Sequence, residues 1–226
     1  MIKTILNGKE IFSSSTQSSS THTEQTAQRK PEPYITHTLH NKHIGYLWGE
    51  DIFHHPDKSE RTPYWSANPP EIILALSDTP WCPDCEGDRY SLLQEWARYW
   101  QAELVFVNQT GGDGEAVFDG RSMLLADTGE LRYLSPPFRE EISRTDLEHI
   151  SVPFESSLPG ETEILFQALT TGLKDFLHTS GFSKAVLGLS GGIDSALVCC
   201  LAVEALGPEN VLALFLPSPY SSHESR

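Results

Sequence analysis

Basic residues are scarce in this 226-residue chain: 16 lysines and arginines stand against 31 aspartates and glutamates, a net charge of −15. That balance excludes a general positive field for nucleic acid or an anionic membrane, so an anionic ligand would need a local site. Long apolar runs are lacking as well. Ile72 to Leu76 and Val211 to Leu216 are strand-sized, far short of the roughly 20 residues of a membrane helix. The N-terminal Met-Ile-Lys-Thr-Ile-Leu passes into Asn7, Gly8, Lys9 and Glu10 before the apolar core of a signal peptide can form. A soluble, cytoplasmic chain is expected, with no nucleic-acid and no membrane partner. The few cysteines form a Cys82-x-x-Cys85 pair and the neighbours Cys199 and Cys200, not a secreted disulfide framework, so reduced thiols are expected.

What remains is a globular composition, 38% hydrophobic and 10% aromatic, with one polar exception. Residues 13–33 are mostly Ser, Thr, Gln and charge, too polar to offset their ordering entropy, and are expected to be a disordered insert. Ile44 to Phe53 and Glu71 to Ser77 read as strands. Leu92, Leu93, Trp96, Ala97 and Trp100 recur at helical spacing, and Leu104 to Asn108 returns to strand. Gly111 to Gly114 is expected to turn the chain into Ala116 to Phe118 and Ser122 to Ala126, with a hairpin turn at Thr128-Gly129. This first unit, residues 1–150, is followed by a proline-bearing linker, 151–160, and a second unit, 161–226.

The second unit opens on a helical stripe from Ile164 to Leu177 with Gly181 suited to its C-terminal cap. A short apolar strand, Ala185 to Leu189, leads through Ser190-Gly-Gly-Ile-Asp-Ser195 into Ala196 to Leu206. That segment is apolar on nearly every face, as a buried helix would be, and is stopped by Gly207-Pro208 before the strand Val211 to Leu216. Strand, loop, helix, strand implies a parallel sheet.

The loop carries the chemistry. Gly191 and Gly192 allow φ > 0 and close backbone approach, so that successive N–H groups can face one cavity; Ser190 and Ser195 add hydroxyl donors, and the helix N-terminus adds a positive dipole end. Gly188, Leu189 and Ile193 complete the string. A phosphate suits it. Asp194 would repel that phosphate unless a hard cation lay between them, which makes it the expected Mg²⁺ ligand. No Lys follows the glycines, so this is not a Walker-type loop. The bland alternative is a tight turn whose glycines serve packing and whose Asp194 caps the helix.

The complete SGGxDS string in this setting resembles the pyrophosphate loop of the ATP pyrophosphatases. "ETEILFQALTTGLKDFLHTSGFSKAVLGLSGGIDSALV", followed by "ALGPENVLALFLPSPYSS", resembles the start of the synthetase domain of glutamine-dependent NAD⁺ synthetases. In that family a nitrilase-like amidase domain comes first, and "AELVFVNQTGGDGEAVFDGRSMLLADTGEL" and "EIILALSDTPW" are similar to stretches of it. The implied fold class is α/β: the later part of a nitrilase-like αββα domain, then the first strand-loop-helix-strand of a Rossmann-like parallel-sheet domain. The implied reaction adenylates deamido-NAD⁺ with Mg-ATP, expels pyrophosphate and lets ammonia, from glutamine or solution, displace AMP.

The same resemblance marks damage. The family amidase uses a Glu-Lys-Cys triad, with its Cys at the start of "CED"; here the string reads Trp48-Gly49-Glu50-Asp51, so the nucleophile position is Gly49. Lys3 is the candidate for the triad lysine, the triad Glu has no counterpart, and Glu50, Ser77 and Arg89 match a vestigial glutamine pocket whose lysine falls at Cys85. In the tail, Pro219 replaces a family arginine, and segments that in the family bind deamido-NAD⁺ have no counterpart. The resemblance thus implies a partial enzyme with a dead glutaminase site, working as a homo-oligomer or with a second polypeptide.

Two other readings stay open on the residues. Trp81-Cys82-Pro-Asp-Cys85 between strand and helix resembles the redox motif of thioredoxin-like proteins, although "VNQTGGDGEAVFDG" supplies no proline for the strand that should pack on it. A non-catalytic assembly module is the other. A zinc site from Cys82, Cys85, His54 and His55 lacks ligand spacing, and Cys199 and Cys200 are expected to serve helix packing.

Overall fold

The computed structural model describes residues 3–6, 9–13, 37–39, 41–60, 62–83, 85–143 and 160–215. The chain begins with an antiparallel pair, β1 (Lys3–Leu6) and β2 (Lys9–Ser13), a separate two-stranded sheet. Ser13 therefore closes a strand rather than opening the polar insert, whose remaining residues lie outside the described set.

A six-stranded mixed sheet dominates the first unit. β3 (His37–Leu39) pairs antiparallel with β4 (Lys42–Trp48), and β4, β5 (Ile72–Ser77) and β6 (Glu103–Asn108) run parallel, joined by a short helix α1 (Thr62–Trp65) and by α2 (Cys85–Trp100). The hairpin β7 (Thr110–Asp113) and β8 (Ala116–Asp119) forms its own sheet. β9 (Met123–Leu125) and β10 (Leu131–Leu134) then extend the main sheet antiparallel beside β6.

Alternation sorts the strand residues between two faces. Leu47, Ile73, Ala75, Leu104 and Phe106 meet Leu93, Trp96 and Ala97 of α2 and Trp65 of α1, all fully buried. Ile44, Ile72 and Leu74 form a smaller buried cluster on the other face. Trp65 stands edge-on to Trp96 and Trp100, 5.8 and 5.5 Å between ring centroids. Trp96 and Ala97, one turn on from Leu93, give α2 its core stripe.

Two expected boundaries move. The strand expected over Ile44 to Phe53 stops at Trp48, because Gly49 at φ +58° turns the chain into a 3₁₀ turn, Gly49–Phe53, in which the Asp51 carboxylate accepts the Trp48 N–H at 3.4 Å. The turn expected at Gly111 to Gly114 is mostly the strand β7; the chain reverses at Gly114 (φ +61°) and Glu115. The Thr128-Gly129 hairpin forms as expected, with Gly129 at φ +78° and its N–H bonded to the Ala126 carbonyl at 2.8 Å.

The second unit starts with α3 (Glu161–Thr179), N-capped by Gly160, with Glu161 and Glu163 in its first turn and His178 in its last, as the helix dipole favours. Gly181 at φ +80° ends it: Gly181 N–H bonds to His178 O (3.0 Å) and Phe182 N–H to Leu177 O (2.8 Å), a Schellman cap. Then follow β11 (Ala185–Leu189), α4 (Ile193–Leu206) and β12 (Val211–Phe215), with the two strands parallel in direct register. Residues 144–159 and 216–226, which carry most of the linker and the "PSPYSS" tail, lie outside the described residues.

The all-round apolar character of α4 implied a buried helix, and here the structure differs. Only Ala202 of α4 is buried, while Ile193 (80% exposed), Leu197 and Val198 face outward, with Val186, Leu212, Leu214 and Phe215 of the strands. A two-stranded sheet offers α4 a surface only two strands wide, whereas parallel sheets are ordinarily covered on both faces.

Candidate phosphate-binding loop and amidase-like edge

The loop at the carboxyl end of β11 departs from the expected backbone at Gly192. Gly191 has φ +85°, a conformation glycine adopts without penalty, but Gly192 has φ −84° and serves as the N-cap of α4. Its use is space: a Cβ there would meet only Ser190 Oγ at 3.4 Å, and one at Gly188 would meet nothing within 4 Å.

The two hydroxyls lock the turn from within. Ser190 Oγ and Ser195 Oγ are 3.1 Å apart; Ser190 Oγ accepts the Gly192 N–H (3.3 Å), Ser195 Oγ accepts the Ser190 N–H (3.3 Å), and Ser195 Oγ–H reaches Gly192 O (2.9 Å). Ser195 is half-buried; Gly188, Ser190, Gly191, Gly192, Ile193 and Asp194 are exposed, while Leu189 is half-buried in the strand. No side chain caps the helix start, so Asp194 sits in the first turn without the capping role of the bland alternative. An open carboxylate beside backbone donors and a helix N-terminus is a donor set that fits a phosphate with a hard cation.

Three of the other candidate residues, Gly49, Glu50 and Ser77, share one sheet edge. β4, β5 and β6 run parallel with Trp48 beside Leu76 and Ser77 beside Asn108, so Gly49, Glu50 and Ser77 follow or end strands at the same carboxyl edge. Gly49 has no neighbour within 4 Å of where a Cβ would stand. Lys3 lies in β1, apart from this edge in the sheet order, and its side chain, like that of Glu50, is outside the described residues.

Arg89 is committed elsewhere. Its guanidinium donates to both Asp119 oxygens (3.1 and 2.7 Å), the two side chains being 4% and 2% exposed, and it stacks over the Phe106 ring. Asn108 Nδ2 also donates to Asp119 Oδ1 (3.0 Å) and to Thr79 O (3.2 Å), and Asn108 Oδ1 accepts the Thr79 N–H (3.0 Å). Ser77 is buried with its hydroxyl against that of Thr79. The network is not legible in the sequence because Arg89 and Asp119 are 30 residues apart; its signal there is a polar residue closing each of two apolar strands, "LVFVN" and "AVFD".

The thiols differ from expectation. Cys82 and Cys85 are paired as a disulfide, their Cα atoms 5.5 Å apart, inside the bridging range. This removes them as zinc ligands; His55 instead pairs with Asp57 and Glu95, and no metal-ligating cluster occurs among the described residues. Cys199 and Cys200 are free, and Cys200 is exposed rather than packed. No helix of the described residues is long and apolar enough to cross a membrane.

The sequence pattern of the NAD synthase family matches residues 165–226. The glutamine-dependent NAD(+) synthetase of Synechocystis sp. is 43% identical over 68% of this chain and 28% of its own length; that of Aquifex aeolicus is 32% identical over 87% of this chain and 40% of its own. A solved glutamine-dependent NAD⁺ synthetase from Acinetobacter baumannii, in complex with ADP, superposes with a TM-score of 0.76 at 30% identity, over 87% of this chain and 38% of that one. This chain thus spans less than half the length of the curated relatives it matches, 28% and 40% of these two. Two motif sets in the same order, joined to the same fold, mean that the chain belongs to the glutamine-dependent NAD(+) synthetase family.

Proposed function

We propose that the chain is a partial NAD⁺ synthetase whose loop Gly188–Ser195 binds the phosphates of ATP, with residues 161–226 as the start of the synthetase domain and 1–150 as a degenerate amidase domain. The observation that carries this is the loop itself: left-handed Gly191, a helix N-terminus with no side-chain cap and an exposed Asp194, all following a parallel strand. In the reaction, the carboxylate of deamido-NAD⁺ attacks the α-phosphorus of ATP, pyrophosphate leaves, and ammonia displaces AMP to form the amide. Backbone N–H groups and the helix dipole at residues 191–195 would hold the departing pyrophosphate. Asp194 would hold Mg²⁺, which supplies neutralisation of phosphate charge when bound.

Gly49 offers no thiol, so this chain would release no ammonia from glutamine by the family route, and ammonia would come from solution or from another polypeptide. Partners are nucleotides and a further copy or second chain, in the cytoplasm. The exposed apolar residues of α4 and β12 favour, as a second reading, a non-catalytic assembly module.

Titration calorimetry with Mg-ATP and with pyrophosphate separates the two. Binding in the millimolar to high-micromolar range, about 4 to 6 kcal/mol, is expected, its Mg²⁺ dependence lost in Asp194→Ala. Gly192→Val, which meets no protein atom closely, should abolish binding by filling the ligand space. Wild-type protein that is folded and binds neither ligand would leave the assembly reading.

A further inference from the structure

We propose that the first unit has a function that needs no thiol at position 49: its β7–β8 hairpin is the seat on which the second unit is ordered, and Asp175 of α3 is the positioning residue of that seat. The two faces meet at backbone distance. A Cβ added at Gly112 of β7 would stand 3.2 Å from Asp175 Cβ and 3.3 Å from Gly172 Cα, and one added at Gly172 would come within 2.8 Å of Val117 Cγ2 in β8. Gly172 and Asp175, three residues apart, lie on the same side of the helix. Strand and helix approach this closely because neither glycine carries a side chain.

A hydrogen bond fixes the register of the contact. β7 pairs only with β8, so its outer edge offers backbone donors that no strand takes up. Gly112 N–H donates to Asp175 Oδ2 at 2.7 Å, the length of a charge-assisted bond. Beside it the surfaces part into a cleft of about 570 Å³, with Trp81 and Val117 on one side and Leu169, Leu173 and Phe176 on the other. Seating therefore rests on the glycine contact and the Asp175 bond rather than on a filled apolar interface.

The hairpin is itself held by the first unit. Val117 O accepts the Trp81 N–H (2.7 Å), Gly120 N–H bonds to Gln109 O (2.9 Å), and β8 ends on Asp119, paired with buried Arg89 of α2. On the other side α3 packs on α4, and α4 on β11 and β12. Among the described residues of the second unit, the buried hydrophobics are Ala168 and Ala202, whereas Val186, Leu197, Val198, Leu212 and Phe215 are exposed. Two alanine side chains, with the other apolar groups half-buried or exposed, are too thin a core to offset the entropy of ordering two helices and two strands. The unit takes its order from what α3 is seated on. The inference stands on the junction geometry and not on nucleotide binding.

The test is amide hydrogen exchange by NMR on the whole chain, read at Leu173 of α3, Ala202 of α4 and, in the first unit, Leu74 and Phe106. Removing a hydrogen bond to a charged acceptor changes an equilibrium constant by about tenfold or more. Asp175→Ala should therefore cut protection at Leu173 and Ala202 about tenfold while Leu74 and Phe106 keep theirs. Asp175→Asn keeps an acceptor oxygen without the charge and should lose only about threefold. Gly172→Ala raises helix propensity, yet should lower protection at the same two amides because its Cβ meets Val117; Val117→Ala/Gly172→Ala, which removes the Val117 Cγ2 in its way, should restore it. Unchanged protection at Ala202 in Asp175→Ala or in Gly172→Ala overturns the proposal, as does a parent chain in which Leu173 and Ala202 are unprotected. A loss in Asp175→Asn as large as that in Asp175→Ala overturns the role of Asp175. Equal loss at Leu74 and Phe106 also overturns the proposal, since the contact would then stabilise the whole fold rather than seat the second unit.

Discussion

Replacing Arg89 by Met distinguishes a structural arginine from a ligand-binding one. The substitution keeps length and the contact with Phe106 but removes both donors, at 3.1 and 2.7 Å, from a carboxylate only 2% exposed. Asp119 would retain Asn108 Nδ2 alone. Breaking a buried pair from one side typically costs about 3 to 5 kcal/mol, because one charge stays in a poorly solvated site. With a urea slope of about 2 kcal/mol per molar, the unfolding midpoint should fall by roughly 1.5 to 2.5 M. The double change Arg89→Met/Asp119→Leu removes both charges, and Asn108 keeps Thr79 as partner on both its amide atoms. It should recover most of the loss, to within about 1 kcal/mol of the parent. The assay is urea unfolding followed by circular dichroism and tryptophan fluorescence. A midpoint for Arg89→Met equal to that of the parent would refute the reasoning, since the guanidinium would then not be what neutralises Asp119.

Three further outcomes are expected. Gly45→Ala places a Cβ 2.6 Å from Trp65 Cζ2, on a rigid, fully buried ring, and should cost about 1 to 3 kcal/mol by thermal unfolding. Gly49→Cys has room for its side chain but must hold φ near +58°, costing about 1 kcal/mol; the new thiol should alkylate yet release no ammonia from glutamine, and measured release would show that Gly49 was the sole lesion. Hydrogen bonds from Ser143 and then Tyr133 hold the Glu141 carboxyl below the usual glutamate range, so its small stabilising contribution is present above the unfolded-state value and is lost as pH falls through the folded one. An NMR titration should show the Glu141 value rising in Ser143→Ala, and an unmoved titration would remove that cause.

Local rules were enough for what is local. Leu93, Trp96 and Ala97 identify α2 because a helix returns to the same face every three or four residues, and the SGGIDS string between two apolar segments places a glycine turn at a helix N-terminus whatever surrounds it. The same holds for Gly181, whose cap involves only its own helix. What the sequence could not decide depends on partners distant along the chain. That Arg89 answers Asp119 rather than a ligand follows from α2 packing on β6, which leaves Arg89 against Asp119 of β8, thirty residues further along the chain. Gly192 needed no left-handed backbone because one such residue, Gly191, already completes the turn. The apolar faces of α4 read as buried from composition, yet burial is a property of what lies opposite, and two strands are too few to cover them. Likewise Trp81 is one aromatic among several in the sequence, whereas its place against Val117, in the cleft between the β7–β8 hairpin and α3, arises only when the chain folds.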